Sequence, residues 1–301
     1  LSHHIWLIVG PTASGKTALS LEMAKKLNCP ILSADSRQIY IEMNIGTAKP
    51  TSEILERQKH YFINHISIEE KYDVNTYEIE SKRLLEKLFE THNHVVIVGG
   101  TGLYIKALTS GLDPLPESQI HVRNFYENLL KERGIESLQH LLFEKDKAYY
   151  NKIDIHNPRR ILRALEVIEI TGMPISDQLT GVQKNLPYHI HEYYLCPSRQ
   201  TLYKNINDRV DEMISSGLED EVQNLLPYQQ FQALQTVGYQ EFFQYFDGNI
   251  SKLEAIEKIK QHTRNYAKRQ ITWFNKFSNG NPFESIDSAL MRFNQELLSK
   301  F

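Results

Sequence analysis

The chain has 301 residues, of which 41% are hydrophobic and 24% charged, and its formal net charge is −3. That supply of apolar side chains supports a sizeable core in one large or two modest domains, and it excludes disordered, collagenous and coiled-coil classes. The longest apolar runs, such as 5–9 and 95–98, are too short to cross a bilayer, no signal peptide is expected ahead of them, and Cys29 and Cys196 read as buried thiols of a reducing cytoplasm.

The predicted elements begin with a buried strand over 5–9 and a helix over 18–27. A second strand follows over 30–34, then a helical stretch over 75–90 and a third strand over 95–98. Short β-rich runs separated by helices predict a parallel sheet covered on both faces. From about Pro114 the strand signals stop, and helices are predicted over 119–133, 136–143 and 158–171. Pro114, Pro116 and Pro187 bracket this stretch, which reads as an inserted all-helical subdomain. A strand over 192–196 returns the chain to the sheet, and helices over 200–217, 218–226 and 250–277 complete it. The expected fold class is α/β, a P-loop NTPase-like core with a parallel sheet flanked by helices. The core is expected over 1–113 and 188–301, and the insertion over 114–187.

Residues Gly10, Pro11, Thr12, Ala13, Ser14, Gly15, Lys16 and Thr17 match G-x-x-x-x-G-K-[ST], between a strand and a helix. Glycines there let successive N–H groups converge on one anion, and the helix N-terminus adds its positive end. Lys16 is expected to reach a terminal phosphate and the Thr17 hydroxyl to ligate Mg2+. The motif announces a diphosphate or triphosphate rather than a reaction.

Asp35 follows the second strand and faces the ligand edge of an open parallel sheet. It can serve as a magnesium partner, as a general base, or as a turn cap. Ser36, Arg37 and Gln38 add dense hydrogen-bonding capacity. After the strand at 95–98, Gly99, Gly100 and Gly102 flank Thr101, a turn that suits either close ligand approach or tight packing. That strand ends in glycines where Walker-type kinases often carry Asp, which weighs against a plain NTPase.

Asn157 and Pro158 mark a helix start with Arg159, Arg160 and Arg163 in its first turns, where the helix dipole disfavours cations. An external polyanion explains all three; an Arg163–Glu166 pair at helical spacing explains one. Residues 235–240 read as a loop of small and polar residues holding Tyr239. Between Lys258 and Phe283 the chain has Lys258, Lys260, Arg264, Lys268, Arg269 and Lys276 and no acid, so a polyanion is preferred over a solvated helix face. Ile256, Ile259, Thr263, Tyr266, Gln270, Trp273 and Phe277 follow helical spacing and form one mainly apolar stripe, so Tyr266 and Trp273 read as core rather than as stacking platforms.

Together these residues resemble one family. GPTASGKT at 10–17, DSRQIY at 35–40, IGTAKP at 45–50, GGTGLY at 99–104, NPRRILRALEV at 157–167, VGYQE at 237–241 and AKRQITWF at 267–274 are similar to the tRNA dimethylallyltransferases of bacterial type. The matches occur in order and span nearly the whole chain. The resemblance implies transfer of a dimethylallyl group from its diphosphate to N6 of the adenosine on the 3′ side of the tRNA anticodon. It implies catalytic roles for Asp35, as general base, and for Lys16, Thr17 and Thr101. Gly10, Thr12, Ala13, Ser14, Gly15, Lys16 and Thr17 would hold the diphosphate with Mg2+ on Thr17. Asp35, Ser36, Arg37, Gln38, Thr101, Arg123, Arg159, Arg160, Arg163, Gly238, Tyr239, Lys268, Arg269, Gln270 and Trp273 would contact tRNA. Asn64 and Asn275 depart from the family's usual wording. The implied protein is a cytoplasmic monomer with no membrane partner. The rival reading is a small-molecule P-loop kinase.

Overall fold

The computed structural model describes residues 2–181, 186–278 and 280–300. They fall into two compact units, Leu1–Thr109 with Leu186–Phe301, and Ser110–Asn185. The first break comes earlier than the proline signals suggested, because the helix Gly102–Ser110 ends there.

The first unit is built on a five-stranded parallel sheet. In chain order the strands are β1 (His4–Val9), β2 (Ile31–Ser33), β3 (His60–Tyr61), β4 (His94–Gly99) and β5 (His189–Tyr194). Their spatial order is β3-β2-β4-β1-β5, with β1 between β4 and β5. Every residue of β1 is buried, as a central strand covered on both faces requires. Its side chains alternate between two cores. Ile5, Leu7 and Val9 join one with Leu32, Val95, Ile97 and Tyr194, while Trp6 and Ile8 join another with Ile31, Val96 and Tyr193.

The helix Lys16–Leu27 covers the Trp6 face through Leu19 and Met23. The same face is sealed by a helix that the sequence reading stopped short of, Ile286–Lys300, whose Ala289 and Phe293 are fully buried against it. Between the long helix Lys252–Phe277 and this last one, Phe283 forms a parallel bridge with Leu195 and so prolongs the sheet beyond β5. A second correction concerns residues 235–240: Tyr239 already begins the helix Tyr239–Phe246, capped by its own Glu241. A third is the last strand, expected over 192–196 and found over His189–Tyr194 in register with β1.

The second unit is helical among its described residues. Ile120–Lys145 is broken at Gly134, where φ is 75°, and Pro158–Thr171 packs against it through Leu138, Leu142, Ile161, Leu162 and Leu165. Asn157 caps the latter helix by accepting the Arg160 amide, and Gly172 ends it in the left-handed conformation. Asp146 is buried and ties two short helices, accepting the Tyr149 amide at 2.8 Å and the Ser176 amide at 2.8 Å.

Candidate functional site

The first unit gathers its chemistry beyond the carboxyl ends of β1, β2 and β4, the edge where open parallel sheets bind ligands. After β1, Gly10 turns at φ 148°, and a Cβ there would lie 2.1 Å from the Leu195 carbonyl oxygen, so only glycine fits. Gly15 caps the helix Lys16–Leu27 in a left-handed conformation. The Ser14 hydroxyl is buried and without a hydrogen-bond partner among the described residues. An orphaned hydroxyl inside a phosphate-type loop is what a polar ligand would satisfy.

Lys16 donates to the Pro11 carbonyl at 2.5 Å. Burial first, and then the Arg209 guanidinium, lower its pKa to about 7, against opposing pulls from Asp35 and Cys196. Arg209 was not singled out from the sequence. Its Nη1 donates to the Thr12 hydroxyl at 3.4 Å, and Asn205, one turn earlier, donates to the Ala13 carbonyl at 3.2 Å. Both lie on the helix Arg199–Ser215. The available signal was spacing: Leu202, Ile206 and Val210 form its apolar stripe, and Asn205 and Arg209 form a separate polar pair four residues apart.

After β2, the Asp35 Oδ1 accepts the amides of Arg37 at 2.8 Å and Gln38 at 3.3 Å, so Asp35 does cap a turn. The same carboxylate pulls the Lys16 pKa upward, against the burial and the Arg209 charge that lower it. After β4, the Thr101 hydroxyl accepts the Ser36 amide at 3.0 Å, joining the two turns. Arg37 donates to the Ala233 carbonyl at 2.9 Å, and Gln38 donates to the carbonyls of Thr47 and Ala48, each at 3.1 Å. The glycine turn is tightly packed: a Cβ would meet the Ala34 carbonyl oxygen at 2.2 Å from Gly99, and the Trp273 indole nitrogen at 2.2 Å from Gly102.

The loop IGTAKP is held by Glu221, another residue the sequence did not flag. Its carboxylate accepts the amides of Asn44 at 3.1 Å, Ile45 at 2.7 Å and Gly46 at 3.0 Å. The Tyr239 hydroxyl donates to it at 2.6 Å, and the Tyr239 ring fills the space that a Cβ on Gly46 would need. Tyr239 is 0% exposed, and Gly238 shapes the turn ahead of it at φ 97°. Asn64 accepts from Lys49 at 2.6 Å, and Asn275 accepts from the Tyr194 hydroxyl at 2.9 Å, so both departures from the family wording have local partners.

On the helix Lys252–Phe277, Lys268 and Arg269 are exposed, with Arg269 over the Tyr266 ring. Lys260 is compensated twice, by Asp211 of another helix at 2.8 Å and by Glu257 one turn earlier at 3.5 Å, just ahead of the acid-free run. Arg264 donates to Asn207 at 2.7 Å. Gln270 is buried, as its place on the apolar stripe requires.

In the helical unit, Glu166 is 0% exposed and receives Arg163 at 3.1 Å, with Arg123 at 3.9 Å. Arg163 also donates to the Pro116 carbonyl at 2.6 Å, and Ser118 donates to Glu166. Arg123 and Arg163 are thus drawn together by one buried carboxylate, while Arg159 and Arg160 are exposed.

Among the described residues, no group of three or more His, Cys, Asp or Glu could hold a metal ion. A Mg2+ ion at Thr17 would take one oxygen from that hydroxyl, with ligand phosphates and water completing the set, which suits that ion. Among the same residues no helix is long and apolar enough to cross a membrane.

With this geometry in view, the chain matches the IPP transferase family over residues 38–277. It is 42% identical to the tRNA dimethylallyltransferase of Cytophaga hutchinsonii over 276 residues, covering 92% of this chain and 91% of that one. Identity to the tRNA dimethylallyltransferase of Christiangramia forsetii is 44%, again covering 92% and 91%. Among solved structures, a tRNA delta(2)-isopentenylpyrophosphate transferase from Staphylococcus epidermidis aligns over all of both chains, with a TM-score of 0.71 and 33% identity. A eukaryotic dimethylallyltransferase acting on tRNA aligns with a TM-score of 0.75 and 26% identity, covering 91% of this chain and 70% of that one.

Proposed function

The chain belongs to the IPP transferase family, and from that premise we propose that it moves a dimethylallyl group from dimethylallyl diphosphate to N6 of the adenosine on the 3′ side of the tRNA anticodon. The observation that carries the reading is the joint placement of two groups at one sheet edge: the phosphate-type loop after β1, with its Ser14 hydroxyl unpartnered among the described residues and with Arg209 donating to Thr12, and the Asp35 turn after β2, tied to the turn after β4 through the Ser36 amide and Thr101. One group suits a departing diphosphate, the other an incoming amine.

In the proposed step, the adenine N6 lone pair forms a bond to C1 of the allyl group while the C1–O bond breaks. Its electron pair leaves on diphosphate, and the N6 proton passes to the Asp35 carboxylate. An exocyclic amine is a poor nucleophile, so a base that takes its proton as the bond forms lowers the barrier. Lys16, Arg209 and the loop amides stabilise the growing charge on diphosphate. Mg2+ held by the Thr17 hydroxyl and phosphate oxygens would supply further neutralisation of that leaving group. The Thr101 hydroxyl fixes the turn that carries Asp35 by accepting the Ser36 amide. The base must leave its stack to reach a group inside a protein.

Exposed Lys268, Arg269, Arg159 and Arg160 are the side chains best suited to tRNA phosphates. The enzyme is proposed to act as a monomer in the cytoplasm. The small-molecule kinase reading has no observation in its favour that prenyl transfer does not also explain. The test is a mixed assay with Mg2+, labelled dimethylallyl diphosphate, unmodified tRNA and, in parallel, free AMP. Label on tRNA alone supports the reading; label on AMP moves the acceptor to free adenylates. Label on neither, with ATP consumed on a small alcohol, replaces the reading with a kinase.

A further inference from the structure

We propose that Gln270 is a positioning residue for the diphosphate loop rather than an RNA contact. Its Oε1 accepts the Thr12 amide at 2.8 Å and its Nε2 donates to the Gly100 carbonyl at 2.9 Å. One side-chain amide thus spans the two glycine-rich turns that leave β1 and β4, and both of its ends are used. Only 6% of the residue is exposed, so the amide is removed from solvent and each unmade bond would be costly.

The surrounding sequence is fitted to this strut. A Cβ on Gly100 would lie 2.3 Å from the Gln270 Nε2, so glycine at that position admits the amide. One turn later along the same helix, Trp273 occupies the space beside Gly102 in a similar manner. Neighbouring Lys268 and Arg269 are exposed, so the helix divides its work: the outward residues are free for a polyanion and the inward one braces the loop. The Thr12 amide belongs to the turn whose hydroxyl meets Arg209, and Arg209 lowers the Lys16 pKa. Through Thr12, Gln270 sets the geometry of the groups that meet the diphosphate. Through Gly100, it holds the backbone next to Thr101, which anchors Ser36 beside Asp35.

The inference rests on the prenyl-transfer reading for its substrate, but its test separates the two. Gln270→Met keeps the side chain's length and removes both hydrogen bonds. The expected result is a rise of about tenfold or more in KM for dimethylallyl diphosphate, the scale of two lost hydrogen bonds. Affinity for tRNA and its salt dependence should stay within about twofold of the parent, whereas Lys268→Ala should lower both. A loss of tRNA affinity with donor KM unmoved would overturn the proposal and return Gln270 to RNA contact. An unchanged donor KM with unchanged tRNA affinity would overturn it as well. If Gln270→Met does not fold, Gln270→Glu retains the acceptor for Thr12 while losing the donor to Gly100. It should then show a smaller thermal stabilisation by inorganic diphosphate with Mg2+ than the parent chain; equal stabilisation would count against the strut. Failure of the parent chain to label tRNA, with diphosphate still stabilising it, would sink the prenyl-transfer reading and leave the positioning role standing.

Discussion

The Asp35 carboxylate accepts the backbone amide of Arg37 at 2.8 Å, so one oxygen of the proposed base is committed to its own turn. The two roles can be separated by chemistry. Asp35→Asn retains an oxygen acceptor for the turn and removes the basic group. Its expected effect is a fall in turnover of at least about a hundredfold, with tRNA affinity and melting temperature near the parent values. Asp35→Ala should add a loss of stability of about 1 kcal/mol from the missing cap. Turnover by Asp35→Asn within tenfold of the parent would assign Asp35 to the turn alone.

Lys16 gives a pH dependence with a definite sign. Burial lowers its pKa from 10.5 to about 7 in the folded chain, so between those values the folded protein has shed a proton that the unfolded chain keeps. The unfolded state binds more protons, and the Lys16 contribution to stability rises with pH across that window. Donor binding runs the other way, because the ammonium is the form that pairs with diphosphate. Affinity for dimethylallyl diphosphate should weaken by up to about tenfold per pH unit above 7, with proton uptake on binding detectable by calorimetry in buffers of different ionisation enthalpy. Lys16→Arg should lose the slope. A parent affinity flat from pH 7 to 9 would contradict this account.

The arginines of the helical unit should part into two groups. Arg163→Ala leaves the fully buried Glu166 with Arg123 at 3.9 Å as its remaining cationic neighbour, and a cost of about 2–3 kcal/mol is expected, tempered by the partial exposure of Arg163 itself. Arg159→Ala should leave the melting temperature unchanged and reduce the salt slope of tRNA binding by about one. A drop in melting temperature for Arg159→Ala and none for Arg163→Ala would reverse the assignment.

Glu221→Ala removes the acceptor of the amides of Asn44, Ile45 and Gly46. A stability loss of about 2–3 kcal/mol is expected, together with faster amide exchange in this loop. Exchange there as slow as in the parent would mean that Gln38 and Lys49 suffice to hold it.

Much of this was legible in the chain because it is local. The P-loop, its flanking strand and helix, the Asn157 cap and the Arg163–Glu166 pair are all written within a few residues of one another. The long-range partners were not. Lys260 lies in a run without acids, while its partner Asp211 is distant in sequence and Glu257 stands just ahead of the run; Gln270 takes an RNA contact from the family resemblance although its spacing puts it on the apolar stripe, and nothing nearby reveals Thr12 or Gly100. Tyr239 sat among small polar residues and read as a loop aromatic, while its partner Glu221 lies on a different helix. The final helix is a different case: Ile286, Ala289, Leu290, Phe293 and Leu297 carry a helical period, all within one short stretch of chain.

The close approach of Gly10 to Leu195 bears on the order in which the protein becomes competent during synthesis. β1 pairs with β5, whose residues leave the ribosome long after the phosphate-loop sequence has emerged. A nascent chain lacking β5 holds every residue of that motif and yet lacks the strand against which its first glycine is fitted, as well as Arg209 and Gln270. Pairing so distant in sequence is a slow step in folding. A truncated translation product ending before His189 would accordingly carry the motif without a formed diphosphate cradle, and activity would arrive only with the last third of the chain.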